Sequence, residues 1–80
     1  MPKLPQVSGA QVIKLLESLD YTRLRQRGSH VALRKITSLG EHNITVPAHK
    51  VLAKGTLNDI ITKVSLWNNI TKEDLLKQLR

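Results

Sequence analysis

Cysteine is absent from the 80 residues, which excludes disulfides and thiolate metal sites. Phenylalanine is absent too, and Tyr21 and Trp67 are the only aromatics. That argues against an RNA-recognition sheet that stacks bases on aromatic platforms. No apolar run exceeds three residues, the longest being 31–33 and 51–53. Neither a transmembrane helix nor a signal-peptide core can be built from such runs, so a soluble protein of a cytoplasm or similar compartment is expected. Acidic residues are scarce: six stand against thirteen Lys and Arg, a net charge of +7. A small, very basic domain most often meets a polyanion, whether nucleic acid, an acidic protein or an anionic surface. The length is about half that of a typical domain, so 1–80 reads as one domain with one modest core. There is little room for a deep cofactor cleft, and no cofactor is expected.

Met1 to Val7 holds two prolines and no periodicity, which reads as a loose N-terminal arm. Ser8 with Gln11 forms a capping-box pattern, and Val12, Leu15, Leu16 and Leu19 follow as one apolar stripe. The first helix is therefore expected over 9–19. Tyr21 to Arg27 alternates instead, and Gly28-Ser29 separates it from His30 to Ile36. Glycine followed by serine suits a two-residue type II′ hairpin, because glycine supplies the positive φ at the first central position. The resulting register sets Arg27 against His30, Gln26 against Val31, Arg25 against Ala32, Leu24 against Leu33 and Arg23 against Arg34. Leu24, Val31 and Leu33 then share a buried face. Arg23, Arg25, Arg27, His30 and Arg34 share the other, an arrangement that makes most sense if an anion covers it.

A second turn at 37–41 leads to a third strand, His42 to Val46, which Pro47 ends. A basic loop follows with His49, Lys50 and Lys54. Thr56 and Asp59 suggest the cap of a second helix, whose stripe is Leu57, Ile60, Ile61 and Val64. Asn68-Asn69 breaks it, and Thr71 opens a short third helix. The order is α-β-β-β-α-α, an α+β fold with helices on one face of a three-stranded antiparallel sheet.

Between Tyr21 and Lys54 lie seven basic residues (Arg23, Arg25, Arg27, Arg34, Lys35, Lys50, Lys54) and one acid, Glu41, so +6 of the +7 falls in under half the chain. Such clustering on one strand face beside a basic loop is the footprint of a phosphate-binding surface. His30 sits in its middle. RNA cleaves itself when its 2′-hydroxyl loses a proton and attacks the adjacent phosphorus. A histidine can take that proton or protonate the leaving oxygen, and guanidiniums can stabilise the charge developing on the phosphate. No metal is then required. On local features alone, a surface histidine after a turn remains the blander reading. His42 is expected to be structural. His49 is open to two roles, phosphate contact or second acid/base group. Three histidines spaced twelve and seven apart, without cysteine or an HExxH pattern, do not make a zinc site. Glu73 and Asp74 read as helix-start charges, and Trp67 as core or cap packing.

Four segments in order resemble the HicA-type (YcfA-like) toxins of type II toxin–antitoxin pairs: 25–30 (RQRGSH), 45–50 (TVPAHK), 54–57 (KGTL) and 71–76 (TKEDLL). The likeness covers about 7–79. It implies a fold similar to double-stranded-RNA-binding domains. It also implies mRNA interferase activity that blocks translation, and inhibition by a HicB-type antitoxin. The family's essential histidine follows the glycine-serine pair, so the resemblance assigns catalysis to His30. Arg25, Arg27, Gly28, Ser29, Arg34, Lys50 and Lys54 are the expected RNA contacts. Asn58 and Asp59 depart from the family, whose members often carry a basic residue there. A non-catalytic basic RNA-binding module, or a domain whose basic face meets an acidic protein, are the competing readings.

Overall fold

The computed structural model describes residues 4–79. Its elements are α1 (Gly9–Ser18), β1 (Thr22–Arg27), β2 (His30–Thr37), β3 (Gly40–Pro47), α2 (Lys54–Asn68) and α3 (Lys72–Gln78). The strands form one antiparallel sheet in the order β1-β2-β3. This is the expected α+β order, and its first five elements run as in double-stranded-RNA-binding domains.

Local chemistry sets most of the boundaries. The Ser8 hydroxyl accepts from the Gln11 amide at 3.1 Å, and the Gln11 side chain accepts from the Ser8 amide at 2.9 Å. That reciprocal pair satisfies donors the first turn of α1 would otherwise leave unpaired. Thr71 caps α3 by accepting from the Asp74 amide at 3.2 Å, with Glu73 and Asp74 in the first turn. Asn69 closes α2 in the left-handed region at φ 53°, a conformation asparagine tolerates. The start of α2 differs from expectation. The helix begins at Lys54 with Ala53 as an N-cap that makes no side-chain bond, so Thr56 lies within its first turn. Buried Leu52 is tied to the Val7 carbonyl at 2.8 Å, and the chain winds directly from that anchor.

The buried side chains form one cluster. Val31 and Leu33 of β2 and Ile44 and Val46 of β3 turn toward Val12 and Leu16 of α1, Leu57, Ile61 and Val64 of α2, and Leu75 of α3. Among the described residues, the opposite sheet face carries no helix. Part of the expected arm, residues 1–3, lies outside the described residues. The remainder has neither helix nor strand, yet Val7 is buried and Leu4 packs on the core.

The first strand departs from simple alternation. Pairing holds from Arg27–His30 to Arg25–Ala32, then shifts by one so that Arg23 faces Leu33 and Thr22 faces Arg34. Leu24 is the extra residue of this β-bulge, and it is 50% exposed instead of buried. Parity explains the bulge. Tyr21 and Arg27 are six residues apart, so strict alternation would put both on the open face. One inserted residue lets Arg25 and Arg27 stay outside while Tyr21 turns inward, where it is 3% exposed. Leaving Leu24 half exposed forfeits about 1 kcal/mol of burial. Burying Tyr21 recovers a similar amount and adds two hydrogen bonds worth about 1 kcal/mol each. The bulge also turns Arg23 toward α1, where its guanidinium meets Glu17 at 3.1 and 3.4 Å. Arg23 therefore leaves the expected arginine face and no longer stands opposite Arg34, which pairs with Thr22 instead.

Tyr21 belongs to a buried polar chain. The Asn68 amide donates to the Tyr21 oxygen at 3.0 Å, and that hydroxyl meets His42 Nδ1 at 2.6 Å. Asn68 Oδ1 accepts from Lys35. His42 is 4% exposed and stacks on Trp67 with centroids 4.8 Å apart and planes 6° from parallel. Both residues are thus structural, as expected. With Asn68 donating to the Tyr21 oxygen, the tyrosine proton is free to bond Nδ1 of a neutral His42 imidazole. Burial first, and then the charge of Lys63, lowers the His42 pKa from its ordinary value. Burial likewise raises that of Tyr21, partly offset by its bond from Asn68.

The sign of the pH dependence follows. The unfolded chain takes up the His42 proton near pH 6.5 while the folded chain resists it. The stabilisation is complete above about pH 6.5 and is lost as the pH falls from there through the depressed folded value. Tm should therefore drop between pH 7.5 and 5, and a His42→Phe variant, which keeps the stack but cannot titrate, should drop less. Equal slopes for the two proteins would refute this.

Candidate functional site

The site is built at the end of the sheet where β1 turns into β2. Gly28 has φ 56°, and Ser29 is not in the positive region, as a type II′ turn requires. Nothing lies within 4 Å of a Cβ added to Gly28, so the turn geometry alone demands glycine there. The turn fixes Arg27 opposite His30 and Arg25 opposite Ala32. Alternation along β2 buries Val31 and Leu33 and leaves His30 and Arg34 exposed on the face away from the helices. Arg25 and Arg27 rise from β1 on the same side. Arg34 meets Glu41 at 3.6 Å, both about half exposed, so part of its charge is compensated. Among the described residues, neither Arg25 nor Arg27 is in an ion pair. Displaced Leu24, with Arg25, Ala32, Asn43 and Thr45, borders a hollow of about 420 Å³ on this face.

A second segment is drawn to the same end. After β3 the loop 48–53 is pinned by backbone bonds. The Ala48 amide donates to the Ser29 carbonyl, the Gly9 amide to the His49 carbonyl at 2.8 Å, and the Leu52 amide to the Val7 carbonyl at 2.8 Å. Gly9 makes this possible, because a Cβ there would stand 1.9 Å from the Pro47 carbonyl oxygen and 2.7 Å from the Ala48 Cα. His49 Nε2 consequently lies 3.5 Å from Ser29 Oγ. Lys50 is exposed on the same loop.

The expected contact residues thus fall into two groups. Arg25, Arg27, Gly28, Ser29, His30, His49 and Lys50 gather around the turn and its neighbouring loop, with Arg34 further along the open face. Lys54 instead opens α2 and borders a groove with Thr71 and Lys72. Sequence reasoning missed Gly9, whose only visible signal was its place at a helix start. It also missed the bulge, whose signal was a lone aromatic in phase with the arginines.

Chemically, the cluster presents an exposed imidazole with two uncompensated guanidiniums beside it and a second imidazole against the preceding residue. Such a surface can hold a phosphodiester and exchange protons with it. Among the described residues, no group of three or more His, Asp or Glu lies close enough to hold a metal ion. No described helix is long and apolar enough to cross a membrane.

A search of curated proteins and one of solved structures returned no match to this chain. A family model described as the HicA toxin of bacterial toxin–antitoxin systems matches residues 9–66. The matched stretch runs from the glycine that seats α1 to the last turns of α2. It takes in every strand, the turn before His30 and the loop carrying His49. With most of its length matched, and with the histidine that follows the glycine-serine turn standing exposed on a cationic face, the chain belongs to the HicA toxin family of bacterial toxin–antitoxin systems.

Proposed function

We propose that this toxin is a metal-independent endoribonuclease that cleaves mRNA on the open face of its sheet, with His30 as the catalytic residue. The observation that carries the reading is the setting of His30: exposed, opposite Arg27, and on the same face as Arg25 and Arg34. His30 takes the proton from the RNA 2′-hydroxyl or gives one to the leaving 5′-oxygen. The 2′-oxygen bonds to phosphorus, the bond from phosphorus to the 5′-oxygen breaks, and a 2′,3′-cyclic phosphate and a 5′-hydroxyl result. Arg25 and Arg27 stabilise the charge that grows on the phosphoryl oxygens. Ser29, Gly28 and Lys50 guide the backbone past the turn, and Arg34 extends the attraction along the open face, whereas Lys54 lies at the start of α2 and takes no part. Cleavage of mRNA in the cytoplasm halts translation, and a HicB-type antitoxin blocks it by covering this face.

The test is purified protein with a long RNA in EDTA. Fragments ending in cyclic phosphate are expected. Salt-sensitive binding without fragments, even at high protein concentration, would contradict the proposal and favour a non-catalytic RNA-binding module. Phosphate contacts also leave a thermodynamic signature, since each one neutralised changes the slope of log K against log salt by roughly 0.7 on single strands. Arg25→Ala and Arg27→Ala should each flatten that slope by about that amount. Arg34→Ala should flatten it less, because Glu41 already shares its charge. Equal effects for all three would contradict this ranking.

A further inference from the structure

We infer that His49 is the second proton-transfer group of the same site, working on the opposite side of the scissile phosphate from His30; the inference rests on the nuclease reading above. Transphosphorylation moves two protons, one off the 2′-oxygen as it bonds to phosphorus and one onto the 5′-oxygen as its bond to phosphorus breaks. One imidazole accepts the first and a second, protonated one supplies the other, so the charges balance without water or metal.

The surroundings of the turn leave few groups for the second role. Arg25 and Arg27 carry guanidiniums, which donate hydrogen bonds and charge and do not serve as proton-transfer groups. Tyr21 and His42 are buried on the other side of the sheet and bonded to each other. Glu41 is bound by Arg34 and by the Asn43 amide at 2.8 Å, opposite Ile36 at the far end of the hairpin. Among the described residues beside the turn, His49 is the remaining imidazole. Its ring nitrogen is 3.5 Å from the hydroxyl of Ser29, the residue bonded to His30. His30 faces Pro47 across the sheet, two residues before His49. The tether from Ala48 to Ser29 and the tether from Gly9 to the His49 carbonyl hold the loop from both sides. Ser29 is a positioning residue in this arrangement, orienting the His49 ring.

Those tethers use main-chain atoms, so His49→Ala removes the imidazole and leaves the loop anchored; His49→Gln, which keeps polar bulk, is the companion variant, and unchanged melting verifies both. Two RNAs serve as probes, one ordinary and one with sulfur replacing the bridging 5′-oxygen at the cleaved linkage. A thiolate leaves without being protonated. On ordinary RNA, His49→Ala and His49→Gln should each lose about 10²- to 10³-fold in cleavage rate. On the sulfur-bridged RNA, one of His30→Ala and His49→Ala should recover to near the wild-type rate and the other should not, which identifies the acid and the base. His49 variants that cleave ordinary RNA at close to the wild-type rate, or recovery of both alanine variants or of neither, would overturn the inference. If His30→Ala is inactive while the His49 variants are normal, only this inference falls. If the wild-type protein cleaves neither RNA, the nuclease reading falls with it.

Discussion

Replacing His30 with alanine is expected to slow RNA cleavage by about 10²- to 10⁴-fold, the usual worth of a positioned general acid or base, and to abolish growth arrest on induction. Affinity for RNA should barely change, because phosphate contacts supply most of it and the substitution leaves Arg25, Arg27 and Lys50 in place. Folding should be equally indifferent. His30 is exposed, and its main chain, which pairs with Arg27 and Pro47, is untouched by the change. The combination of lost turnover, retained binding and retained Tm separates a chemical role from a structural one. A variant that still arrests growth and still cuts RNA would reject His30 as the catalytic group. Weakened binding in parallel with weakened cleavage would mark it as a contact residue.

The second large effect is expected at Gly9, which has no side chain of its own to touch RNA. A methyl group there meets the Pro47 carbonyl oxygen at 1.9 Å and the Ala48 Cα at 2.7 Å, both of them main-chain atoms that cannot rotate aside. Gly9→Ala must therefore push α1 away from the end of β3 and strain the bond from the Gly9 amide to the His49 carbonyl. Overpacking of this kind costs about 1–3 kcal/mol, which in a domain of this size lowers Tm by roughly 5–20 °C. The sign is diagnostic, since helix propensity alone would make alanine the more stable choice. Because the same contact seats the loop, cleavage should fall further than the loss of stability accounts for. An unchanged or raised Tm would mean that α1 and β3 are not held this closely.

The periodic parts of the fold were legible in the sequence. The stripes of α1 and α2 and the inward residues of β2 and β3 occupy the core because their spacing matches 3.6 and 2 residues. The Ser8–Gln11 box and the Thr71 cap form as their residue types predict. The Gly28-Ser29 turn sets the register nearest His30, which is why that end of the sheet was readable. What escaped depends on contacts between distant segments. Simple alternation placed Arg23 on the cationic face and Leu24 in the core. The need to bury Tyr21 beside His42 and Asn68 reverses both, and only the fold brings those three residues together. The start of α2 was misplaced for a similar reason, because Leu52 is anchored by Val7 from the other end of the chain. The approach of His49 to Ser29 likewise depends on Gly9, a residue whose local sequence says only that a helix begins.

The most direct measurement is an NMR titration of isotopically labelled protein with an RNA that binds but cannot be cut, every 2′-hydroxyl replaced by hydrogen. If the sugar-phosphate chain passes over the open sheet face, the His30 imidazole and the amides of Arg25, Arg27, Ser29 and Lys50 will shift together, and those on the exposed sides of α2 and α3 will stay still. Shifts confined to the helices, with an unmoved His30 ring, would contradict the central claim that this imidazole is where the protein meets RNA.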